Sequence, residues 1–332
     1  MVHTIVIVRT PFRASFFGGG TDYPDYYLKN GGQVLATSIG HYGYITLNRM
    51  AALVEDRFRL NYSIREAVQE ISEIRHPIVR AVFDMNKVDE RINLTHTADL
   101  PAKSGLGSSS AFAVGLIHAI HTFYNRAVSQ EKVALEAIHL EQDVLKERVG
   151  SQDQYITAMG GMRHIRFHQD GSIDSNPVIL DPERRAQLEG NLLLFYTNIT
   201  RYASEVLDEQ LDNTKKGSID SELLKLSGLV DQGREVLESR GDLDGFGELL
   251  HTGWEIKKRL STKIVNPEIS AAYESARKAG AVGGKLLGAG GGGFLLFYVP
   301  KEKQDAVRKS LSHLVEVPFK FDSSGSTILY IN

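Results

Sequence analysis

The sequence predicts an α+β protein built as two domains, and three observations carry that reading. At 332 residues the chain is about twice the length of an ordinary domain. Its first half mixes strand-like segments (Met1–Arg9, Gln33–Thr37, Tyr42–Asn48, Arg91–Thr97, Met162–Phe167) with helical ones. Past the polar stretch Asp181–Gly190 the patterning turns largely helical, which sets the expected boundary between domains 1–185 and 186–332.

Composition narrows the classes of function. With 42% hydrophobic and 24% charged residues the chain reads as a globular protein with a core that needs no staples. A net charge of −3 gives no reason to expect nucleic acid or an anionic membrane as partner. Cys is absent, which excludes disulfides and thiol catalysis and suits the cytoplasm. The apolar start is too short for a signal peptide, and no run approaches the ~18 residues that span a bilayer.

Taken in order, the first strand leads into Thr10–Tyr23, where Gly18-Gly19-Gly20 follows Phe16-Phe17 and is flanked by Arg13 and Asp22. Three adjacent glycines imply a tight backbone path with free N–H groups; a hairpin turn is the plainer alternative. Arg65–Asn86 has a helical pattern, with Pro77 marking a break or a second start. The strand Arg91–Thr97 then opens onto Pro101–Ala111, Pro-Ala-Lys-Ser-Gly-Leu-Gly-Ser-Ser-Ser-Ala, followed by a helical run from Phe112 to Tyr124. A glycine- and serine-rich loop at a helix N-terminus suits an anion, since free N–H groups and the positive end of the dipole meet there. An ordinary capped loop is the bland alternative. The Walker pattern Gly-x-x-x-x-Gly-Lys-Ser/Thr does not occur.

Glu131–Glu147 reads as a helix with Val133, Ala134, Ala137, Ile138, Leu140 and Val144 on its apolar face, leaving Asp153 near a helix end after Gly150. In the second half, the buried strand Asn191–Thr197 precedes helices at Ser204–Thr214, Ser221–Arg240, Gly245–Leu260 and Ser270–Lys278. Gly288, Gly290 and Gly293 satisfy Gly-x-Gly-x-x-Gly, but the strand Phe294–Val299 follows where a dinucleotide site needs a helix. Such a loop between two apolar strands lets one backbone lie close against another segment or a ligand. A helix at Glu302–Leu314 and strands near Val315–Phe321 and at Thr327–Ile331 close the chain. The pairs His118/His121 and His164/His168 lack a third metal ligand and read as ordinary histidines.

Together, Pro11–Tyr23, Pro101–Ala111 and Lys285–Gly293 resemble the three motifs of the GHMP kinase superfamily. That family includes galactokinase, homoserine kinase, mevalonate kinase and phosphomevalonate kinase. The resemblance spans nearly the whole chain. It implies an N-terminal domain like domain 2 of ribosomal protein S5, a ferredoxin-like C-terminal domain, and a site between them.

It also implies roles. Ser104, Gly105, Leu106, Gly107, Ser108, Ser109 and Ser110 would wrap the phosphates of ATP. Ser109 and Glu141 would hold Mg²⁺ through hard oxygens, with Glu147 and Asp143 as alternative carboxylates. Asp153 would take the proton of the acceptor hydroxyl, and Arg13 would face it and offset charge on the transferring phosphoryl group. The sugar would meet Gly18, Gly19, Gly20, Thr21, Asp22, Gly291 and Gly292.

Where galactokinases read Gly-Glu-His-Thr-Asp-Tyr, this chain reads Gly18-Gly19-Gly20-Thr21-Asp22-Tyr23. The change opens space for a longer or anionic substituent. That pattern, with Gly150-Ser151-Gln152-Asp153-Gln154-Tyr155, is similar to the D-glycero-D-manno-heptose 7-phosphate kinases. Fucokinase-like enzymes share similar glycine runs. A 7-phosphate would need cations, with Arg201, Lys257 and Lys258 as candidates, while Lys103 could touch the nucleotide or point into water. An unphosphorylated sugar, or a silent nucleotide or sugar sensor, is the alternative reading. Oligomeric state stays open.

Overall fold

β1 (Ile5–Phe17) and β2 (Gly32–Arg49) run antiparallel and form the spine of the first sheet in the computed structural model, which describes residues 3–199 and 203–332. In order, the first half adds α1 (Pro24–Asn30), β3 (Phe58–Asn61), β4 (Arg65–Val68), α2 (Pro77–Met85) and β5 (Ile92–Ala98). It continues with α3 (Ser108–Phe123), α4 (Gln130–Ile138), a π-helical turn (His139–Val144), α5 (Gln152–Met159), β6 (Met162–Phe167) and β7 (Ile173–Pro177). The sheet order is β12-β1-β2-β5-β3-β4, with β12 (Thr327–Ile331) at one edge, while β6 pairs with β2 and β7 with β6.

The second half comprises α6 (Pro182–Gly190), β8 (Leu192–Tyr196), α7 (Ala203–Lys215), α8 (Asp220–Glu238), α9 (Asp244–Lys257) and α10 (Pro267–Ala279). After these come β9 (Gly283–Leu286), β10 (Phe294–Tyr298), α11 (Gln304–Ser310) and β11 (Val315–Glu316). Its antiparallel sheet is ordered β11-β8-β10-β9, the fourth-first-third-second order of a ferredoxin-like unit. Every residue of β10 is buried, which explains its unbroken apolar run.

Three expectations are corrected. The segments Gln33–Thr37 and Tyr42–Asn48 are one long strand, whose first part pairs with β6 and whose second pairs with β5. Arg65–Asn86 is helical only from Pro77 onward; before it, β4 pairs back onto β3 with Phe58 opposite Val68. The helix at Glu131–Glu147 stops at Ile138 and widens into the π-helical turn. Around the expected boundary, α6 runs through position 185, and β12 returns to the first sheet beside β1. The edge of β1 satisfies the backbone groups of β12, while Ile328, Leu329, Tyr330 and Ile331 stay exposed.

α3 packs on β1 and β2 and is buried nearly all round, so its sequence lacks a polar face. Beneath the first sheet lies a core of its own, whereas Phe12, Ala14, Phe16 and Phe17 of β1 join the core of the second half. Phe16 and Phe17 meet Phe246 of α9 edge-on at 5.2 and 5.0 Å. Thus β1 serves both cores, and the motif it carries is held from both sides. Among the described residues no helix is long and apolar enough to cross a membrane.

Candidate active site

The three glycine-bearing segments converge on one cavity of about 1070 Å³. Its centre is the start of α3. Gly107 occupies the N-cap in the left-handed conformation (φ 74°), and no side chain caps the helix, so its first-turn N–H groups stay available to an anion. Gly105, Gly107, Ser108, Ser109 and Ser110 line the cavity. Ser104 and Leu106 are instead fully buried, and the Leu106 carbonyl accepts from Arg13 N–H at 3.0 Å.

The third motif backs this loop. A Cβ on Gly288 would lie 2.5 Å from Gly105 Cα, one on Gly105 would lie 2.6 Å from the Leu287 carbonyl oxygen, and one on Gly293 would lie 2.2 Å from that of Ser104. Glycine is required because the two backbones touch. Gly291 and Gly292 are used likewise. Gly291 N–H donates to the Ile264 carbonyl at 2.8 Å, and Gly292 abuts the Ile199 backbone while reaching the cavity wall. Close packing therefore explains this motif better than sugar contact does.

Arg13 projects from β1 beneath the loop. Its Nε and Nη2 each donate to a different carboxylate oxygen of Asp153 at 2.7 Å, and Nη1 donates to the Gly105 carbonyl. Asp153 sits in the first turn of α5. The Arg13 side chain is 6% exposed and that of Asp153 22%, so the aspartate is the open member of the pair. Gly107 roofs both: a Cβ there would stand 3.0 Å from Arg13 Cγ and 3.2 Å from Asp153 Oδ2.

Asp22 lies beyond the pair, accepting from Gly20 N–H and from Gln152 Nε2, both at 3.0 Å. Burial, and secondly the nearby Asp153, push its carboxyl above the usual range, partly offset by those two donors. Gly18, Gly19 and Gly20 line the cavity. Thr21 does not: its hydroxyl donates to the carbonyls of Gly18 (2.8 Å) and Gln33 (2.9 Å), pinning the loop to β2. Thr21 is thus a loop staple rather than a sugar contact.

Beside α3, fully buried Glu141 in the π-helical turn accepts from Ser110 Oγ at 3.0 Å and from Gln154 Nε2 at 2.5 Å. Burial pushes its carboxyl up to about 7, against the pull of these donors. Ser110, not Ser109, is therefore the hydroxyl bonded to Glu141, while Ser109 stands exposed on the cavity wall. The wide π turn is what swings Glu141 inward. Asp143 faces outward to His139 at 2.9 Å, whereas Glu147 lines the cavity.

Two lysines enclose the far side. Lys257 Nζ donates to the carbonyls of Leu286 (3.1 Å) and Gly288 (2.5 Å), and burial, then Arg13, lowers its pKa to about 7. Lys285 Nζ donates to the Phe16 carbonyl at 2.8 Å, tying the second sheet to β1. Lys258 pairs with Glu255 at 2.7 Å and does not reach this cavity. Arg201 lies outside the described residues. Lys103 lines the cavity at φ 58°.

Comparison with known proteins decides the family. The pattern of the GHMP kinases N terminal domain matches residues 66–161, and that of the GHMP kinases C terminal domain matches residues 234–316, together more than half of the chain. The chain is a GHMP kinase. It is 29% identical over 328 residues to a D-glycero-alpha-D-manno-heptose 7-phosphate kinase of Campylobacter jejuni, covering 94% of this chain and 95% of that one. An L-fucokinase/L-fucose-1-P guanylyltransferase of Bacteroides fragilis is 29% identical over 340 residues, covering 92% of this chain and 35% of that protein. The fold is that of a crystal structure described as a D-glycero-D-manno-heptose 1-phosphate kinase from Bacteroides thetaiotaomicron (TM-score 0.81, 23% identity, 98% of this chain and 99% of that one covered).

As a GHMP kinase the protein is a phosphotransferase with ATP as donor, and the cavity continues beyond the loop to an aromatic end. That end is lined by Tyr62, Ile64, His76, Pro77, Ile78 and Phe112. His76 stacks on Phe112 (4.7 Å, 26°), with His96 edge-on to the same ring at 4.8 Å. Burial lowers both histidines, His96 to about 4, so the rings are uncharged at neutral pH. Sequence reasoning missed this part of the kinase because four separate segments build it. The aromatic residues carry no fixed spacing. The four histidines that the sequence pairs by spacing each have a partner in the fold: His118 with Ser326, His121 with Glu136, His164 with Gln33 and His168 with Asp174.

Proposed function

We propose that the kinase transfers the γ-phosphoryl group of ATP to the anomeric hydroxyl of D-glycero-D-manno-heptose 7-phosphate, giving the 1,7-bisphosphate. The observation that carries the reading is the Arg13–Asp153 fork, roofed by the phosphate loop on one side and opening toward Asp22 and three glycines on the other. An acceptor hydroxyl placed there meets both a carboxylate and an anion-binding helix terminus.

In this reading the base lies against His76 and Phe112, and the phosphates lie over the N-terminus of α3. Asp153 accepts the hydroxyl proton as the sugar oxygen bonds to the γ-phosphorus, the bond from that phosphorus to the bridging oxygen breaks, and ADP leaves. Arg13 orients Asp153 and offsets the charge spreading over the transferring group. Asp22, already held by Gln152, grips ring hydroxyls. Glu141, with Glu147 and the exposed Ser109 close by, offers the hard oxygens that suit Mg²⁺, whose role there is to neutralise phosphate charge. Of the cations named for the 7-phosphate, Lys257 is the described one that lines the cavity, and we take it as the candidate. We assign residues 1–185 to the N-terminal, ATP-binding domain and residues 186–332 to the C-terminal domain, with β12 paired back onto the first, and we place the enzyme in the cytoplasm.

The full-length heptose 7-phosphate kinase relative supports this substrate over fucose, galactose or mannose. The test is ADP release with Mg-ATP and each of these four sugars. Strong turnover with the heptose phosphate alone supports the proposal. Turnover on a plain hexose with none on the heptose phosphate overturns the substrate while leaving the kinase.

A further inference from the structure

Ser15 and Gln152 are 6% and 8% exposed, line the cavity, and have been given no role in the reaction. Ser15 Oγ and Gln152 Oε1 are both buried and have no hydrogen-bond partner within the protein. Leaving such an atom unpaired costs roughly 1–3 kcal/mol, so few survive in a folded protein without a purpose. Here two stand at one place. A Cβ built on Gly19 would have only two neighbours within 4 Å, Ser15 Oγ at 3.8 Å and Gln152 Nε2 at 4.0 Å. The Ser15 hydroxyl and the Gln152 amide therefore flank a space that is open because Gly19 has no side chain. Gln152 cannot turn away, since its Nε2 is engaged by Asp22 at 3.0 Å, and this bond presents Oε1 as a pure acceptor. Ser15 is fixed in β1, two residues past Arg13, but its hydroxyl rotates.

We infer that Ser15 and Gln152 read hydroxyl groups of the acceptor sugar in the hollow beside Gly19. Gln152 Oε1 accepts from one hydroxyl, and Ser15 Oγ donates to or accepts from the same hydroxyl or its neighbour. The ligand class is a polyol, and the inference rests on the sugar-kinase reading above. It also separates the roles within the glycine run of the first motif: Gly18 and Gly20 serve the backbone, with φ of 82° and 104°, whereas Gly19 keeps space for substrate.

The test uses the full chain, with D-glycero-D-manno-heptose 7-phosphate as the varied substrate and Mg-ATP saturating, then the reverse. Ser15→Ala removes no bond within the protein, so its melting temperature should match the parent. KM for the sugar should rise about tenfold, the equivalent of one hydrogen bond, with KM for ATP within about twofold. Gly19→Ala should fold, because nothing lies within 3.8 Å of its methyl, and should raise KM for the sugar similarly by filling the hollow. Gln152→Leu should show the largest rise, since it also releases Asp22. If Ser15→Ala and Gly19→Ala both leave KM for the sugar unchanged while the parent turns over, the inference is overturned. If the parent binds ATP but turns over no sugar, the underlying reading fails instead, and the inference with it.

Discussion

Arg13 and Asp153, 140 positions apart, meet in a two-pronged ion pair at 2.7 Å through both prongs, with no room above them for any residue but Gly107. The fork fixes the aspartate along two axes, as a single-point cation could not. A strand of the first sheet and the first turn of α5 are thereby locked into one geometry beneath the phosphate loop.

Replacing Asp153 with Asn keeps the shape and removes the proton acceptor. Turnover should fall by about 10²–10⁴-fold while ATP affinity stays within about threefold, measured by single-turnover kinetics and nucleotide titration. A sensor built on this fold would show no such split. Arg13→Lys should also slow turnover, and it should lower stability because its ammonium cannot supply both prongs and the bond to Gly105.

The contact between the two glycine loops sets a second expectation. Gly293→Ala would place a methyl 2.2 Å from the Ser104 carbonyl at φ 101°, a combination of clash and backbone strain. The loss of stability should exceed about 2 kcal/mol in a denaturant titration. Gly161→Ala has a comparable φ of 77° but nothing within 4 Å, so it isolates the strain and should cost about 1 kcal/mol. Equal losses in the two variants would mean that the loops are not packed as described.

Much of this site was legible because its chemistry is written in contiguous motifs. Arg13, Asp22, Gly105, Gly107, Ser108, Ser109, Ser110 and Asp153 all reach the cavity. What the sequence hid depends on three-dimensional placement. Thr21 looks no different from a ligand until its hydroxyl is seen bonded to Gly18 and Gln33. Ser110 and Ser109 are adjacent in sequence, and only the phase of α3 turns the former onto Glu141. The π-helical turn leaves no mark in a helical apolar pattern, and the return of β12 to the first sheet is a long-range pairing that local propensity does not report. Arg65–Val68 was misread because four residues cannot establish a period against the helix that follows Pro77.

If Lys257 meets the 7-phosphate as proposed, sugar binding should depend on pH. Its folded pKa, about 7, lies below the ordinary lysine value of 10.5, so between those values the unfolded chain holds more protons and the free protein gains stability as pH rises. An anionic sugar prefers the ammonium and draws a proton in. KM for the heptose 7-phosphate should therefore rise as pH goes from about 6.5 to 8.5, and calorimetry in buffers of differing ionisation enthalpy should report proton uptake. Lys257→Met should abolish the uptake. A KM that stays flat with pH in the parent would place the phosphate elsewhere.

Glu141 should govern the metal requirement. Its carboxyl is raised from 4.5 to about 7 by burial, so over that window the folded chain holds the extra proton and the charged form is the destabilised one. Mg²⁺ binds the charged form, so the Mg²⁺ concentration giving half-maximal rate should fall as pH rises from about 6 to 8. Glu141→Gln keeps the volume and can still meet Ser110 and Gln154, but it lacks the charge. The variant should need roughly tenfold more Mg²⁺ and lose the pH dependence of that requirement, and it should be at least as stable as the parent above pH 7, where the parent buries a carboxylate. A parent and variant with the same Mg²⁺ requirement at pH 8 would transfer the metal role to Glu147, the other carboxylate on that wall.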